Sequence, residues 1–244
     1  MPSYIALFAV LVSAGYILSL NNNPKVVLLS DKQGQYLLRD ISVYQKASKA
    51  IMSRSILSRS KFTIDTNALA EEMKKQFPEL DEVAITIPLA GRRPIFELSS
   101  SRPALILVTQ DNSLVIDQNG RAVVSTADLP KKSNLSIPLV TDQSGLKSGV
   151  GKIAMPSGTV NFIQMVTDQL KAKKLTVKNI ELPAVANELR VRLDGQPYYI
   201  KFNLEGRARE QVGAYLSAKQ KFETDHSVPS EYVDVRVDER VYYK

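Results

Sequence analysis

"NELRVRLDGQPYYIKFNL", Asn187 to Leu204, decides the class of fold to expect. Leu189, Val191 and Leu193 alternate with charged residues before Asp194-Gly195, and Tyr198, Ile200, Phe202 and Leu204 alternate after it. A period of two is that of a half-buried β-strand, and an Asp-Gly pair between two such runs predicts a hairpin. Downstream, the spacing predicts a helix around Arg207 to Phe222. Then comes "EYVDVRVDERVYYK", Glu231 to Lys244, with Val233, Val235, Val237 and Val241 on one side and Tyr232, Asp234, Arg236, Arg240 and Tyr242 on the other. Asp238-Glu239 lacks the Gly or Asn of a tight hairpin turn, so the expectation is one long strand, longer than the usual five or so residues. It either closes a sheet or leaves an edge open for a partner.

Upstream of the hairpin, Ile163, Val166 and Leu170 form the apolar stripe of a helix over Thr159 to Lys174 whose lysine-rich end suits the helix dipole. Before it, "TDQSGLKSGVGKIAMPSG" reads as a connection, and "ALILVTQ", "SLVIDQNG" and "RAVVST" as short strands turning at Asn119-Gly120. The polar "SSSRP", Ser99 to Pro103, marks a domain boundary. On its other side the order is strand, helix, helix, strand, strand. It comprises "VVLLS" (Val26 to Ser30), a helix with Leu37, Ile41, Tyr44 and Ile51 on one stripe, and a second helix capped by Asp65 or Thr66. Leu69, Met73 and Phe77 line that second helix, Pro78 ends it, and "DEVAITIPL" and "RRPIFELSS" follow.

"MPSYIALFAVLVSAGYILSL" has no charged side chain before Lys25. As a helix Tyr4 to Leu20 would be about 25 Å long, just enough to cross a hydrocarbon core. No basic flank or A-x-A-like site favours a cleaved signal peptide, so residues 4–20 are expected to be a retained anchor. The fold class is thus α+β: an anchor (1–24), a β-α-α-β-β domain (25–100) and a mainly antiparallel β domain with flanking helices (101–244).

With 244 residues, 44% hydrophobic and 23% charged, the chain has an ordinary globular composition. It has no cysteine, which excludes disulfides, thiolate metal sites and a cysteine nucleophile. His226 is the single histidine, in the polar "ETDHSVPS", so a two-histidine metal site is impossible. "GLKSGVGK" misses the phosphate-loop spacing, and no nucleophile-elbow or dinucleotide fingerprint occurs. The net charge of +7 is scattered, without tryptophan and without aromatics interleaved among Arg and Lys. No catalytic, cofactor or metal site is expected, nor a nucleic-acid or small-molecule ligand.

These pieces together resemble the bacterial cell division protein family FtsQ/DivIB, as a divergent member. The block at Val26 to Ser99 is similar to that family's POTRA domain, and the remainder to its β domain. The similarity is carried in order by Arg93-Pro94, Arg102-Pro103-Ala104 (the family's E-R-x-P-x-A, with Ser101 in place of the Glu), "VIDQNG" at Val115 to Gly120, Leu129-Pro130, and "YVDVR" at Tyr232 to Arg236, beside the family's Y-V-D-L-R. The resemblance implies a non-enzymatic, single-pass subunit of the division complex in the cytoplasmic membrane, its bulk outside and placed at the septum. It also implies FtsB/DivIC-like and FtsL-like partners, bound by strand addition at the carboxy-terminal edge, and a part in regulating septal peptidoglycan synthesis. Matching positions nominate Tyr232, Val233, Asp234, Val235 and Arg236, with Arg240 and Tyr242 as extensions; Val233 and Val235 are core or contact. An anchored or secreted POTRA-type protein-transport module and an envelope hydrolase of unrecognised type are the alternatives.

Overall fold

The computed structural model describes residues 8, 12–13, 15–29, 37–130 and 135–244. It divides into two compact units, one of Met1–Ser101 with Asp128–Ser133, the other of Arg102–Ala127 with Asn134–Lys244.

Unit 1 runs β1 (Lys25–Leu28), α1 (Ile41–Ser53), a short 3-10 turn (Ile56–Arg59), α2 (Thr66–Gln76), β2 (Leu80–Thr86) and β3 (Ile95–Ser100). β3 is central, parallel to β1 with Val26 opposite Phe96 and antiparallel to β2 with Val83 opposite Leu98. The helices bury Tyr44, Ile51, Met52, Leu69 and Met73 against Phe96 and Leu98. The α2 start follows its sequence signal, since the Asp65 carboxylate accepts the Ala68 N–H at 3.0 Å, and Pro78 stops the helix. On α1 the stripe departs from expectation. Ile41 is half exposed and Ala47, Ser48 and Met52 complete the buried face, because the helix starts only at Ile41 and Leu37 lies before it.

Most of the expected anchor, residues 4–20, lies outside the described residues. Phe8, Val12, Ser13 and Gly15 to Leu18 are helical. Among the described residues no helix is long and apolar enough to cross a membrane.

Unit 2 is a nine-stranded sheet in the order β12-β11-β10-β9-β8-β7-β4-β5-β6. Its strands are β4 (Pro103–Val108), β5 (Ser113–Asp117), β6 (Ala122–Ser125), β7 (Leu139–Asp142), β8 (Val177–Leu182), β9 (Glu188–Leu193), β10 (Tyr199–Asn203), β11 (Tyr232–Asp234) and β12 (Tyr242–Tyr243). The helices α3 (Ser157–Ala172) and α4 (Ala208–Thr224) complete it. The predicted hairpin is β9–β10, with Val191 opposite Ile200. The sheet is mixed: five of its eight strand pairings are antiparallel, as expected, while β4–β7, β7–β8 and β10–β11 are parallel. The physical reason is connectivity: parallel neighbours need a long crossover, and α3 supplies one between β7 and β8, α4 another between β10 and β11. β7 and β8, absent from the sequence reading, come from "LVTD" and "VKNIEL". Val160, Ile163, Val166, Leu170, Val212 and Tyr215 of the helices are buried in one core with Leu105, Ile180, Val191, Ile200 and Val233 of the sheet. At Gly120 (φ +81°) a Cβ would sit 1.9 Å from the Met155 carbonyl oxygen, so only glycine fits that turn.

Candidate partner-docking edge

The stretch from Tyr232 to Lys244 is a hairpin, which corrects the expected single strand. β11 lies parallel to β10 (Ile200 opposite Val233), and β12 folds back antiparallel on it, Val233 facing Tyr243 and Asp234 facing Tyr242. The turn is made by Val237, whose carbonyl accepts the Arg240 N–H at 3.3 Å, and by Glu239 in the left-handed region at φ +59°. Requiring Gly or Asn assumed a two-residue turn. The loop here is longer, and the alternation that continues through it places Val237 48% exposed, where a closing strand would have buried it.

The nominated residues separate by face. Val233 and Val235 are core, both buried and joined to the helix-covered cluster. Val235 extends the β10 ladder by one bond, its N–H donating to the Lys201 carbonyl at 3.1 Å. Tyr232, Asp234 and Arg236 occupy the opposite face, and they are tied down. Arg236 donates from Nε and Nη2 to the Asp234 carboxylate (2.9 and 2.6 Å) and from Nη1 to Glu188 Oε2 at 2.6 Å. Glu188, nearly fully buried, takes Arg190 Nε on its other oxygen at 2.6 Å. Burial opposes ionisation of Asp234, but the hydrogen bonds and charge of Arg236 outweigh it and hold the carboxyl below its ordinary range. Tyr232 carries the Lys201 ammonium 3.6 Å from its ring centroid, with the Tyr199 ring beside it at 6.3 Å. Arg240 is exposed in the turn.

The outermost strand is therefore β12. Tyr243 turns its ring onto Phe222 of α4 (centroids 4.9 Å apart), while Tyr242 is 50% exposed on the face that carries Asp234. Lys244 locks the hairpin: its N–H donates to the Tyr232 carbonyl at 3.1 Å, its carbonyl accepts from Ser230 and Glu231 at 2.7 Å each, and its ammonium meets Glu231 at 2.7 Å. Because backbone groups alternate in direction along a strand, the inward Lys244 N–H fixes the Tyr243 N–H outward. Among the described residues no strand pairs with that outer side.

Sequence reasoning missed Glu188, Arg190, Tyr199 and Lys201. A signal existed in the charged residues that alternate with Leu189 and Val191, but which β11 residues they face depends on a parallel pairing across α4. His226 lies in an exposed turn at φ +51°, and among the described residues no group of three or more Asp, Glu or His could hold a metal ion. No protein-family model matches the chain, and no curated protein matches it.

Proposed function

We propose that this protein is a membrane-anchored, non-enzymatic division-complex subunit of the FtsQ/DivIB kind. In this reading residues 4–20 anchor it in the cytoplasmic membrane and both units work outside, at the septum. It recruits FtsB/DivIC-like and FtsL-like partners and through them helps to regulate septal peptidoglycan synthesis. The observation that carries the reading is the short outer strand β12, whose outward backbone groups have no neighbour among the described residues. Such an edge accepts a partner strand, backbone bonds supplying affinity and alternate side chains selectivity. The hairpin moves the docking line one strand outward: Val241 to Lys244 form it, Tyr242 and Arg240 flank it, and Tyr232, Asp234 and Arg236 support it from the adjoining strand.

Tyr243→Pro tests this, because proline removes an outward N–H while Tyr242 and Lys244 keep the inward pairing, a placement edge strands tolerate. Full-length wild type, Tyr243→Pro and Tyr243→Ala are used to capture partners from native membranes, and FtsB-like and FtsL-like proteins are quantified by mass spectrometry. The expected result is at least about tenfold less FtsB-like protein on Tyr243→Pro than on Tyr243→Ala, which loses the same ring contact with Phe222 but keeps the N–H, equivalent to about 1.4 kcal/mol, with the two variants matched in thermal stability. Equal capture by the two variants refutes strand addition at β12. Absence of any division protein from the wild-type capture refutes the functional reading itself.

A further inference from the structure

In unit 1, the chain leaving the amino-terminal helix is gripped from two sides. Ser19 bridges Ser60, with the Leu20 N–H donating to the Arg59 carbonyl at 2.7 Å and the Lys61 N–H to the Leu18 carbonyl at 3.0 Å. On the other side the Asn21 N–H donates to the Arg92 carbonyl at 2.6 Å, and the Arg92 guanidinium lies 4.0 Å from the Tyr16 ring centroid. The two gripping loops also join each other, the Lys61 ammonium donating to the Leu89 carbonyl at 2.9 Å. They form one continuous surface around the point where the apolar segment enters the domain.

That surface has an unusual composition. Phe62 is 79% exposed and Leu89 96%, and Ile56 and Leu57 beside them are also exposed. Residues 54–63 and 87–94 contain Arg54, Arg59, Lys61, Arg92 and Arg93 and no Asp or Glu; Arg54 is paired with Glu72 of α2, which leaves the basic character of the surface to the other four. Exposed apolar side chains grouped this way mark an interaction surface, and the basic residues around them specify an anionic one. Tyr16, 63% exposed with its ring under Arg92, has the amphipathic character found at membrane–water boundaries.

We infer that this end of unit 1 is a lipid-contacting surface, Phe62 and Leu89 entering the headgroup region while Arg59, Lys61 and Arg93 meet anionic lipid phosphates. The inference rests on the anchor reading of residues 4–20. The occupant is lipid because the patch is continuous with the apolar segment that would enter the bilayer and because its charge complements anionic headgroups. The contact orients the domain on the membrane.

The absence of native cysteine allows clean single-site labelling. Full-length Phe62→Cys, Leu89→Cys, Val12→Cys and Asn67→Cys, each carrying an environment-sensitive fluorophore, are reconstituted into vesicles of phosphatidylcholine with and without phosphatidylglycerol. Phe62, Leu89 and Asn67 are exposed, so labelling them removes no buried contact. The expected result is quenching by spin-labelled lipid at positions 62 and 89, and roughly threefold or greater protection from iodide relative to position 67, both strengthened by phosphatidylglycerol. If position 12 is in lipid while 62 and 89 are as open to iodide as 67, this inference falls and the anchor stands; a protein partner for the patch would give that result, since the vesicles hold none. If position 12 is itself aqueous, the anchor reading falls and takes the inference with it. Protection indifferent to phosphatidylglycerol overturns the role given to the basic residues.

Discussion

Each unit buries one glutamate in an ion-pair cluster, and the two are built differently. In unit 1 the Glu79 side chain is 0% exposed, and its Oε1 takes both the Arg39 Nε (2.7 Å) and the Tyr44 hydroxyl (3.1 Å), leaving Oε2 without a partner among the described residues. In unit 2 the Glu188 side chain is 4% exposed and divides its oxygens, Oε1 to Arg190 and Oε2 to Arg236, each at 2.6 Å. A buried ion pair is worth having only where geometry satisfies the groups taken out of water. By that criterion Glu188 is fully engaged and Glu79 half engaged. Arg39 also reaches Asp128 at 3.0 Å and Arg236 also holds Asp234, so each keeps an anionic neighbour whatever happens to its glutamate, whereas among the described residues Arg190 pairs with Glu188 alone.

The isosteric amide separates them most sharply. In Glu188→Gln one of the two former oxygens becomes an NH2 that faces a guanidinium, donor against donor, at a nearly dry site between strands. The expected loss is about 3 kcal/mol. In Glu79→Gln the NH2 can take the place of Oε2 while the remaining oxygen keeps Arg39 and Tyr44, so the expected loss is nearer 1 kcal/mol. Hydrogen exchange read separately for β9–β11 amides and for α1–β2 amides gives each unit its own opening free energy. Equal losses at the two sites would show that burial alone, and not the sharing of oxygens, sets the cost.

The next difference lies at alkaline pH. Burial, reinforced by the Glu79 charge, pushes the Tyr44 hydroxyl well above its ordinary value. Its folded-state pKa thus exceeds its unfolded one, so this contribution is fully present below about pH 10 and is lost as pH rises beyond it. Tyr44→Phe is expected to cost about 1 kcal/mol at neutral pH, by removing the hydrogen bond to Glu79, and to flatten the alkaline limb of unit 1. Tyr215 of unit 2 is raised as well, by burial and then by its hydrogen bond with Tyr198, so the alkaline limb of unit 2 should be unmoved by the Tyr44 change and serves as the internal reference. A parallel change in both units would mean that their alkaline losses are not local.

Local rules made much of this legible. The Asp65 cap, the stop at Pro78, the Gly120 turn and the β9–β10 hairpin each depend on a few neighbouring residues, and each stands where the sequence places it. What escaped depends on partners far along the chain. β7 has only four residues and exists as a strand because β4, three strands earlier, is there to pair with it, while Lys178 and Asn179 interrupt the apolar signal of β8, which is held between β7 and β9. The terminal segment shows the same limit at the site. Its period of two was correct for β11, but the same alternation runs through the turn at Val237 to Arg240, and only the pairing of Tyr242 and Tyr243 with β11 tells strand from loop. Arg236 falls on the polar side of that alternation, where a solvent-facing side chain is expected. Its bond to Glu188, 48 residues away, makes it part of the structure, so Arg236→Glu is not a clean probe of partner binding.

The smallest expected effect concerns what Arg236 holds in addition to Glu188. Its guanidinium spans Asp234 with three bonds of 2.6 to 3.1 Å, and its backbone N–H donates to Asp234 Oδ1 at 3.1 Å. These bonds lower the Asp234 pKa in the folded state, in spite of burial. A depressed carboxyl contributes stability that is present above the unfolded value, about pH 4, and disappears as pH falls through the folded one. The acid limb of unit 2 should therefore be steeper in wild type than in Asp234→Asn, which cannot titrate. At neutral pH the amide retains an oxygen for Arg236, and the loss should stay near 1 kcal/mol, below that of Glu188→Gln. Opening free energies of β10 and β11 amides measured from pH 6 down to about pH 3 give both quantities. If the variant keeps the wild-type acid slope, Arg236 serves Glu188 alone, and the face of β11 that carries Tyr232 owes its order to β9 rather than to its own Asp234-Arg236 pair.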